Sequence, residues 1–178
     1  MGVKFMDFFE VVDRRYSHKE KFLSDAVPVE DLERIAKAGL LAPTGNNTQC
    51  VKLIILCGRD EVQKLGDIVS ADGLLTAPAA IALLTDSSGH RAPYNFEVED
   101  YAAAAAQMLL AATALGYSSL WLDSPFFDDK AQKAALQALG APNRYLLRVV
   151  LPIGLPATEG SRREKLPFDA RVSYGKMS

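Results

Sequence analysis

The sequence has few of the residues that disulfide frameworks and metal sites require. It contains two cysteines, Cys50 and Cys57, and their spacing is not that of a metal site. We therefore predict no bound metal and no disulfide framework. Unpaired thiols are typical of the reducing cytosol, so this scarcity favours a cytoplasmic protein.

Several binding motifs are also missing. There is no GxGxxG turn and no P-loop, and the first predicted strand is followed by GRDEV, so the usual Rossmann and nucleotide-hydrolase signatures are absent. The net charge is −2 and the pI is about 5.7. This balance argues against a general nucleic-acid-binding protein.

From Tyr101 to Leu122 no residue is charged, which is a segment long enough to span a bilayer. However, its alanines, Gln107 and Thr113 make it only weakly apolar, and Gly116 interrupts it. We interpret it as the central buried helix of a globular core. The N-terminal MGVKFMDFFE also lacks the apolar core of a signal peptide, so we expect no membrane association.

The length of 178 residues and an apolar fraction of 49% suit one globular domain, which we place at residues 1–178. Apolar periodicity and turn residues predict helices at 3–14, 29–41, 60–71, 97–115 and 128–139, and strands at 53–57, 79–85, 118–122 and 145–153. Asp60 and Gln63 are expected to cap the third helix. From Pro156 the chain lacks periodicity and reads as an extended tail. This mixed order predicts an α+β fold.

Basic charge is concentrated near both ends of the chain. Residues 14–21 and residues 161–176 each carry a net charge of +3, which leaves the remainder strongly acidic. The two ends are either independent solvated segments or the two sides of one anion site. Arginine offers a bidentate fork for phosphate and lysine a point charge, so a phosphate is a suitable anion.

The polar loop (Ala42–Cys50, APTGNNTQC) follows an amphipathic helix and has no charge, yet nearly every side chain can form hydrogen bonds. Gly45 gives its backbone conformational freedom. On these residues alone, a turn that ends the helix is the simpler interpretation. The alternative is a surface that binds a flat heterocycle.

Four segments in order resemble the FMN-dependent nitroreductase family, and the resemblance covers nearly the whole chain. RYSHK (15–19) resembles the family's phosphate motif, and APTGNNTQ (42–49) resembles its conserved polar loop. GYSSLWLDS (116–124) resembles the strand entry that passes the flavin N5 edge. REKLP (163–167) resembles an element of the C-terminal tail.

The resemblance implies a mixed β-sheet flanked by helices and an intertwined homodimer with FMN at the interface. It also implies that the extended C-terminal tail wraps the partner. Carried over by position, the residues implied to bind FMN are Arg15, Tyr16, Ser17, Lys19, Thr44, Asn47, Asp123, Ser124, Arg163 and Lys165.

Among these, the first four and the last two are implied at the phosphate and ribityl side. Thr44 and Asn47 are implied at the isoalloxazine ring, from the same subunit or its partner. Asp123 and Ser124 are implied near N5. Ser70 lies where relatives place a polar group that contacts the ring.

The sequence also departs from the family pattern. Cys50 and Val51 replace a Pro-Trp pair, which removes an aromatic wall. Tyr16 and Lys19 replace arginines, so a bidentate fork is lost at Lys19. Residues 86–96 are the candidate for a lid over the substrate.

The implied activity is an NADH- or NADPH-dependent reduction of nitroaromatics, quinones or similar small electrophiles by a ping-pong hydride mechanism. We expect no catalytic side chain, with His18 and His90 on the surface and Cys50 buried and inert. Trp121 is expected in the core, while Tyr94, Phe96 and Phe126 are left open between core and substrate face.

Three alternatives stay open. One is a flavin-dependent dehalogenase or dehydrogenase of a small metabolite. Another is an FMN-binding dimer without turnover. The third is a dimeric interaction domain that binds no cofactor.

Overall fold

The computed structural model describes residues 6–86, 88 and 95–177 of the chain. Its helices are α1 (Phe8–Arg14), α2 (Val29–Leu40), α3 (Arg59–Val69), α4 (Asp72–Thr76), α5 (Glu97–Ala114) and α6 (Asp129–Ala138). Its strands are β1 (Val51–Leu56), β2 (Ala79–Thr85), β3 (Ser118–Ser119) and β4 (Leu146–Gly154). Short 3₁₀ turns occupy Gly45–Asn47, Ser124–Phe127 and Phe168–Ala170.

The strands form a sheet in the order β1-β2-β4-β3, and each neighbouring pair is antiparallel. Helices flank this sheet, so the predicted α+β class is confirmed. Among the described residues, the parallel pairing expected of a mixed sheet is confined to a single bridge between Ser17 and Ser119.

Strand β2 lies at the centre of two hydrophobic cores, and all its residues are buried. Side chains alternate along a strand, so Ile81 and Leu83 face the layer of α2 and α5. Ala82 and Leu84 face the opposite layer, with α3 and α6. This two-sided burial explains why β2 reads as a continuous apolar run.

Helix α5 packs against α2 and the sheet, as predicted for the uncharged segment. The close approach of the two helices requires a glycine on α2, because a Cβ on Gly39 would lie 2.6 Å from the Met108 side chain of α5. Ala104, Ala105 and Met108 are fully or almost fully buried. In the described part of the chain, no helix combines the length and apolar character needed to cross a bilayer.

Strand β4 contains a bulge. Leu83 pairs with Val149 and Leu84 pairs with Leu147, so Arg148 is an extra residue in the ladder. Leu147 and Val150 therefore share one face of the sheet, while Val149 lies on the other. The bulge turns the Arg148 side chain toward Thr85 of β2 and Glu97 of α5.

Two predicted elements differ from the structure in the middle of the chain. The strand predicted at 118–122 is paired only over Ser118–Ser119, and it meets β4 again in one bridge between Leu122 and Val150. The helix predicted at 60–71 ends at Val69, where Ser70 adopts a left-handed conformation (φ 52°). The chain then forms α4, which is too short to show helical periodicity in sequence.

The predicted capping pair, Asp60 and Gln63, is wrong. Helix α3 begins after Gly58, and no side chain caps it at that residue. Instead, the backbone N–H of Cys57 donates to the Glu61 carboxylate at 3.1 Å. An acidic residue in the first turn thus satisfies a donor just outside the helix.

The two ends of the chain run beside each other. Helix α1 begins after Asp7, which accepts a hydrogen bond from the Glu10 N–H, and the predicted start at residue 3 lies outside the described residues. Phe22 bridges Pro156, and the Ala157 N–H donates to the Lys21 carbonyl at 2.9 Å. The expected tail is extended, and residues 161–177 are exposed.

Candidate functional site

The two basic ends meet in one cleft of about 450 Å³, the basic cleft. Its lining comes from two segments of the chain: Arg15, Tyr16, Ser17, Lys19 and Glu20 from the first, and Gly160, Ser161, Arg162, Arg163 and Lys165 from the second. The structure therefore brings together six of the ten residues implied at the cofactor.

Charge dominates the basic cleft. Five cationic side chains face it and Glu20 is the one carboxylate among its lining residues. Within residues 6–86, 88 and 95–177, Arg15, Lys19, Arg163 and Lys165 form no ion pair. Their charges are thus available to a bound anion, and a small multivalent anion is the ligand that such a cluster stabilises.

The first wall of the cleft is an extended segment anchored to the sheet. Ser17 bridges Ser119, and the His18 N–H donates to the Ser119 carbonyl at 2.9 Å. Side chains alternate along an extended chain, so Ser17 and Lys19 are exposed while His18 points inward. The anchoring fixes which side chains reach the cleft.

His18 is fully buried, so the prediction of a surface histidine is wrong. Its Nε2 lies 3.1 Å from the Lys21 carbonyl oxygen, which only accepts, so Nε2 carries the proton. The Tyr16 hydroxyl lies 3.4 Å from Nδ1 of the same ring, and the Ser118 hydroxyl lies 3.2 Å from the Tyr16 oxygen. His18 therefore orients Tyr16 at the cleft wall.

The second wall is held against the first by two contacts. A Cβ on Gly160 would lie 2.3 Å from Cε2 of Tyr16, so this close approach requires glycine. Arg162 donates to the Asp13 carbonyl at 2.5 Å and to the Val12 carbonyl at 3.3 Å. These carbonyls end α1, where a cation is favoured by the helix dipole.

The polar loop is placed elsewhere and does not line the basic cleft. Thr44 is half-buried, while Asn46 and Asn47 are exposed and both have positive φ, 52° and 55°. The Gly45 N–H donates to Oδ1 of Asp100 at 2.7 Å. The loop is therefore a defined 3₁₀ turn that presents amides to solvent.

Asp123 and Ser124 lie where the chain leaves the sheet. The Trp121 indole N–H donates to Oδ2 of Asp123 at 2.7 Å, and the Ser124 N–H donates to Oδ1 at 2.6 Å. Both carboxylate oxygens are thus occupied, and neither residue lines the basic cleft. Ser70, at the end of α3, is exposed and also outside the cleft.

Cys50 is buried, as predicted, and its environment disfavours the thiolate. Burial and then the hydrogen bond to Asp100 raise the pKa of the Cys50 thiol to about 11. The thiol is therefore neutral and unreactive near pH 7. No group of histidine, cysteine and acidic side chains among the described residues could hold a metal ion.

The aromatic candidates have different fates. Phe126 is fully buried in the hydrophobic core beside α6. Trp121 is half-buried and packs against the other hydrophobic core, which lies between the sheet and the layer of α2 and α5. Phe96 is half-buried and packs near Gly45. Tyr94, His90 and most of the candidate lid lie outside the described residues.

Sequence reasoning missed several residues that shape the site. Arg162 lies inside the basic tail and its charge was visible, but its role at the end of α1 depends on folding. Gly160 gave no signal, because its partner Tyr16 is far away in sequence. Asp100 gave no signal either, because it lies in the first turn of α5 while its partners Gly45 and Thr48 are far away in sequence.

Comparisons with known proteins identify the family of the chain. The sequence model of the Nitroreductase family matches residues 12–73 and 69–155. A curated protein of Archaeoglobus fulgidus, provisionally named NADH dehydrogenase/NAD(P)H nitroreductase, is 34% identical over 131 residues, which is 73% of this chain and 75% of that protein.

Solved structures are similar over almost the full length. An FMN-dependent nitroreductase of Clostridium difficile has a TM-score of 0.80 and 25% identity, over 94% of this chain and 98% of that one. A provisionally named nitroreductase of Desulfovibrio desulfuricans in complex with FMN has a TM-score of 0.82 and 23% identity, over 98% and 100%. At 23% identity, the similarity to the structure from Desulfovibrio desulfuricans shows a shared fold.

Proposed function

Because the chain belongs to the nitroreductase family, we propose that it is an FMN-dependent oxidoreductase that uses NADH or NADPH to reduce nitroaromatics, quinones or similar small electrophiles. The observation that carries this proposal is the basic cleft, where two distant basic segments face one space. The names of similar proteins support both the cofactor and the donor.

The basic cleft suits the phosphate of FMN. A phosphate monoester carries a charge of about −1.5 to −2 near pH 7 and offers three acceptor oxygens. Arg15 and Lys19 supply charge from one wall, and Arg163 and Lys165 supply it from the other. Ser17 adds a hydroxyl donor, and Tyr16 forms the wall that His18 orients.

The uncharged part of FMN needs a different surface. Thr44 and Asn47 of the polar loop offer neutral donors and acceptors that suit an isoalloxazine ring. Asp123 and Ser124 are proposed near its N5 edge, where the backbone is fixed by the Asp123 carboxylate. Because the polar loop does not line the basic cleft, we place these ring contacts in a homodimer, with the loop contributed by the partner subunit.

Exposed apolar side chains support the homodimer. In the tail, Leu166 is 70% exposed, Phe168 62% and Tyr174 87%. In α1, Phe8 and Phe9 are also largely exposed. Such side chains are favoured at subunit interfaces, so we propose that the tail from Pro156 wraps the partner subunit.

The protein and the cofactor have separate tasks. Bound FMN would supply the hydride chemistry, accepting from the nicotinamide and donating to the acceptor in a ping-pong cycle. The side chains of this protein would bind and orient FMN: the cations would hold the phosphate, and the neutral loop would offer hydrogen bonds to the ring. No acid, base or nucleophile of the chain is assigned to the reaction.

The test uses the purified wild-type protein. We expect a yellow protein whose absorbance near 450 nm is bleached by NADH or NADPH without oxygen and restored by a nitroaromatic or a quinone. Bleaching with recovery only by a halogenated metabolite would favour a dehalogenase. A yellow protein that no nicotinamide bleaches would favour a binder without turnover, and failure to take up FMN would overturn the proposal.

We also keep a cytoplasmic location as a proposal. It is supported by the free state of Cys50 and Cys57. Fractionation of cells that express the tagged protein tests it, and the expected result is recovery in the soluble fraction.

A further inference from the structure

The polar loop adopts a conformation that its own residues disfavour. Asn46, Asn47 and Gln49 all have positive φ, between 51° and 55°. Asparagine tolerates this region, but glutamine does so less readily, and each such residue costs free energy. A conformation of this kind persists only where the surroundings impose it.

Asp100 is the group that imposes it. Its side chain is almost fully buried, with the residue 2% exposed, and it lies under the polar loop. Oδ1 accepts the Gly45 N–H at 2.7 Å, and Oδ2 accepts the Thr48 hydroxyl at 3.0 Å and the Cys50 thiol at 3.4 Å. Three donors from one loop therefore converge on one carboxylate.

These contacts are unusual for a buried acid. Among the described residues, Asp100 forms no ion pair, so its charge is stabilised by neutral donors of the polar loop. It lies near the start of α5, where the helix dipole also favours a negative charge. Removing a donor would leave the carboxylate under-satisfied, so the loop and Asp100 stabilise each other.

A second contact limits the loop on its other side. A Cβ on Gly45 would lie 2.2 Å from the Phe96 ring, so the backbone at Gly45 is seated directly against that ring. The loop is thus fixed between Phe96 and Asp100. Thr44 and Asn47 flank Gly45, and the Asn47 N–H donates to the Thr44 carbonyl at 3.0 Å.

We propose that Asp100 is a positioning residue that preorganises the polar loop for the flavin ring, so that Thr44 and Asn47 are held in their binding conformation before the ligand arrives. The inference rests on the proposed function. A preorganised loop lowers the entropic cost of binding, and this effect acts on the ring and not on the phosphate.

Two ligands separate these contributions. FMN presents both ring and phosphate, whereas riboflavin presents the ring without the phosphate. We expect Asp100→Asn to weaken both ligands by the same factor, about tenfold. The ratio of the two dissociation constants, measured by fluorescence quenching, would stay at its wild-type value. The visible band of the bound flavin would shift, because the ring would meet a loosened loop.

The matched control is Glu97→Gln. Glu97 is another buried carboxylate of α5, but it contacts Thr85 and Arg148 instead of the polar loop. We expect this variant to lose stability while it keeps wild-type affinity for both flavins and an unshifted band. If Asp100→Asn does not fold, Thr48→Val removes one donor and should give the same pattern with a smaller factor.

The outcomes are distinct. Equal weakening of FMN and riboflavin with a shifted band supports the inference. A folded Asp100→Asn with wild-type affinities and spectrum overturns it while the proposed function stands. Wild-type protein that binds neither flavin overturns the proposed function itself, and the inference with it.

Discussion

The basic cleft and the polar loop are proposed to bind the same ligand, yet they are built in opposite ways. The cleft is lined by exposed cations from both ends of the chain, whereas the loop is neutral and is held by one buried carboxylate. The cleft should therefore respond to charge and salt. The loop should respond to changes beneath it, and salt should affect it little.

The largest expected effect removes charge from the cleft. We expect Arg15→Met with Lys165→Met to weaken FMN by at least about 100-fold, because two charge-assisted contacts to phosphate are lost. Riboflavin affinity should stay unchanged, and titration of both flavins measures this. The control, Arg59→Met with Lys64→Met, removes equal charge from exposed positions of α3 outside the cleft. Equal weakening of riboflavin would erase the distinction between the two regions.

Next in size is the loss of the Glu97 carboxylate. Burial alone would raise its pKa, but hydrogen bonds from Thr85 and Arg148 and the charge of Arg148 outweigh it and lower the pKa below 4.5. We expect Glu97→Gln to cost about 2 kcal/mol of unfolding free energy. Urea denaturation measures this cost, and flavin affinity should not change.

The same carboxylate has a definite pH dependence. Because its folded pKa is lowered, its contribution is complete above pH 4.5 and is lost as pH falls through the folded pKa. Glu97→Gln should therefore flatten the acid side of the wild-type stability profile. An identical acid profile in both proteins would contradict the assigned direction.

Salt should also distinguish the two regions, through a smaller change in flavin affinity. Raising ionic strength from about 0.05 to about 0.5 M should weaken FMN roughly tenfold through screening of the exposed cations. Riboflavin should be nearly insensitive, since the loop is neutral. Isothermal titration at several salt concentrations provides the measurement, and parallel salt slopes for the two flavins would contradict the assignment of phosphate to the cleft.

A smaller effect on FMN affinity is expected where Gly160 packs against Tyr16 in the cleft. Gly160→Ala places a Cβ against Tyr16 and should displace its ring, which we expect to weaken FMN about threefold to tenfold. Tyr16→Ala in the Gly160→Ala background removes the clash, so the two changes should be non-additive. Strict additivity in that cycle would mean that the contact does not shape the cleft.

The smallest change concerns thiol labelling near the loop. Cys57 is exposed and Cys50 is buried with a raised pKa, so native protein at pH 7.5 should incorporate one maleimide, at Cys57. Unfolded protein should incorporate two. Mass spectrometry locates the label. Rapid labelling of Cys50 in the native protein would show that the packing around the buried thiol opens readily.

The sequence was informative where the physical signal is local. The apolar run of β2 and the small-sided α5 follow from nearby residues, and the structure places both as predicted. The charge of the two basic ends was also visible, but the sequence left open whether they meet, and the structure brings them together in the basic cleft. His18 was wrongly expected on the surface because it lies in the segment that resembles the phosphate motif. Its burial depends on the bridge between Ser17 and Ser119, which joins residues far apart in sequence.

The hydrogen bonds between Asp100 and the polar loop could not be predicted from the sequence for the same reason. Gly45 and Asp100 are 55 positions apart, and nothing near either one indicates the contact. The short α4 was missed because its length gives no periodicity, and β3 was predicted but over too many residues. Packing partners, and not local preferences, determine these parts of the structure.

The bulge in β4 has a consequence for how this strand tolerates changes in length. Leu84 pairs with Leu147 and Leu83 with Val149, so a chain without Arg148 would keep both pairs and both hydrophobic faces. Arg148 is therefore not needed to set the register of β4 against β2. Loss of Arg148 would leave the Glu97 carboxylate buried without its cationic partner. We therefore expect related sequences to keep both residues or to lack both.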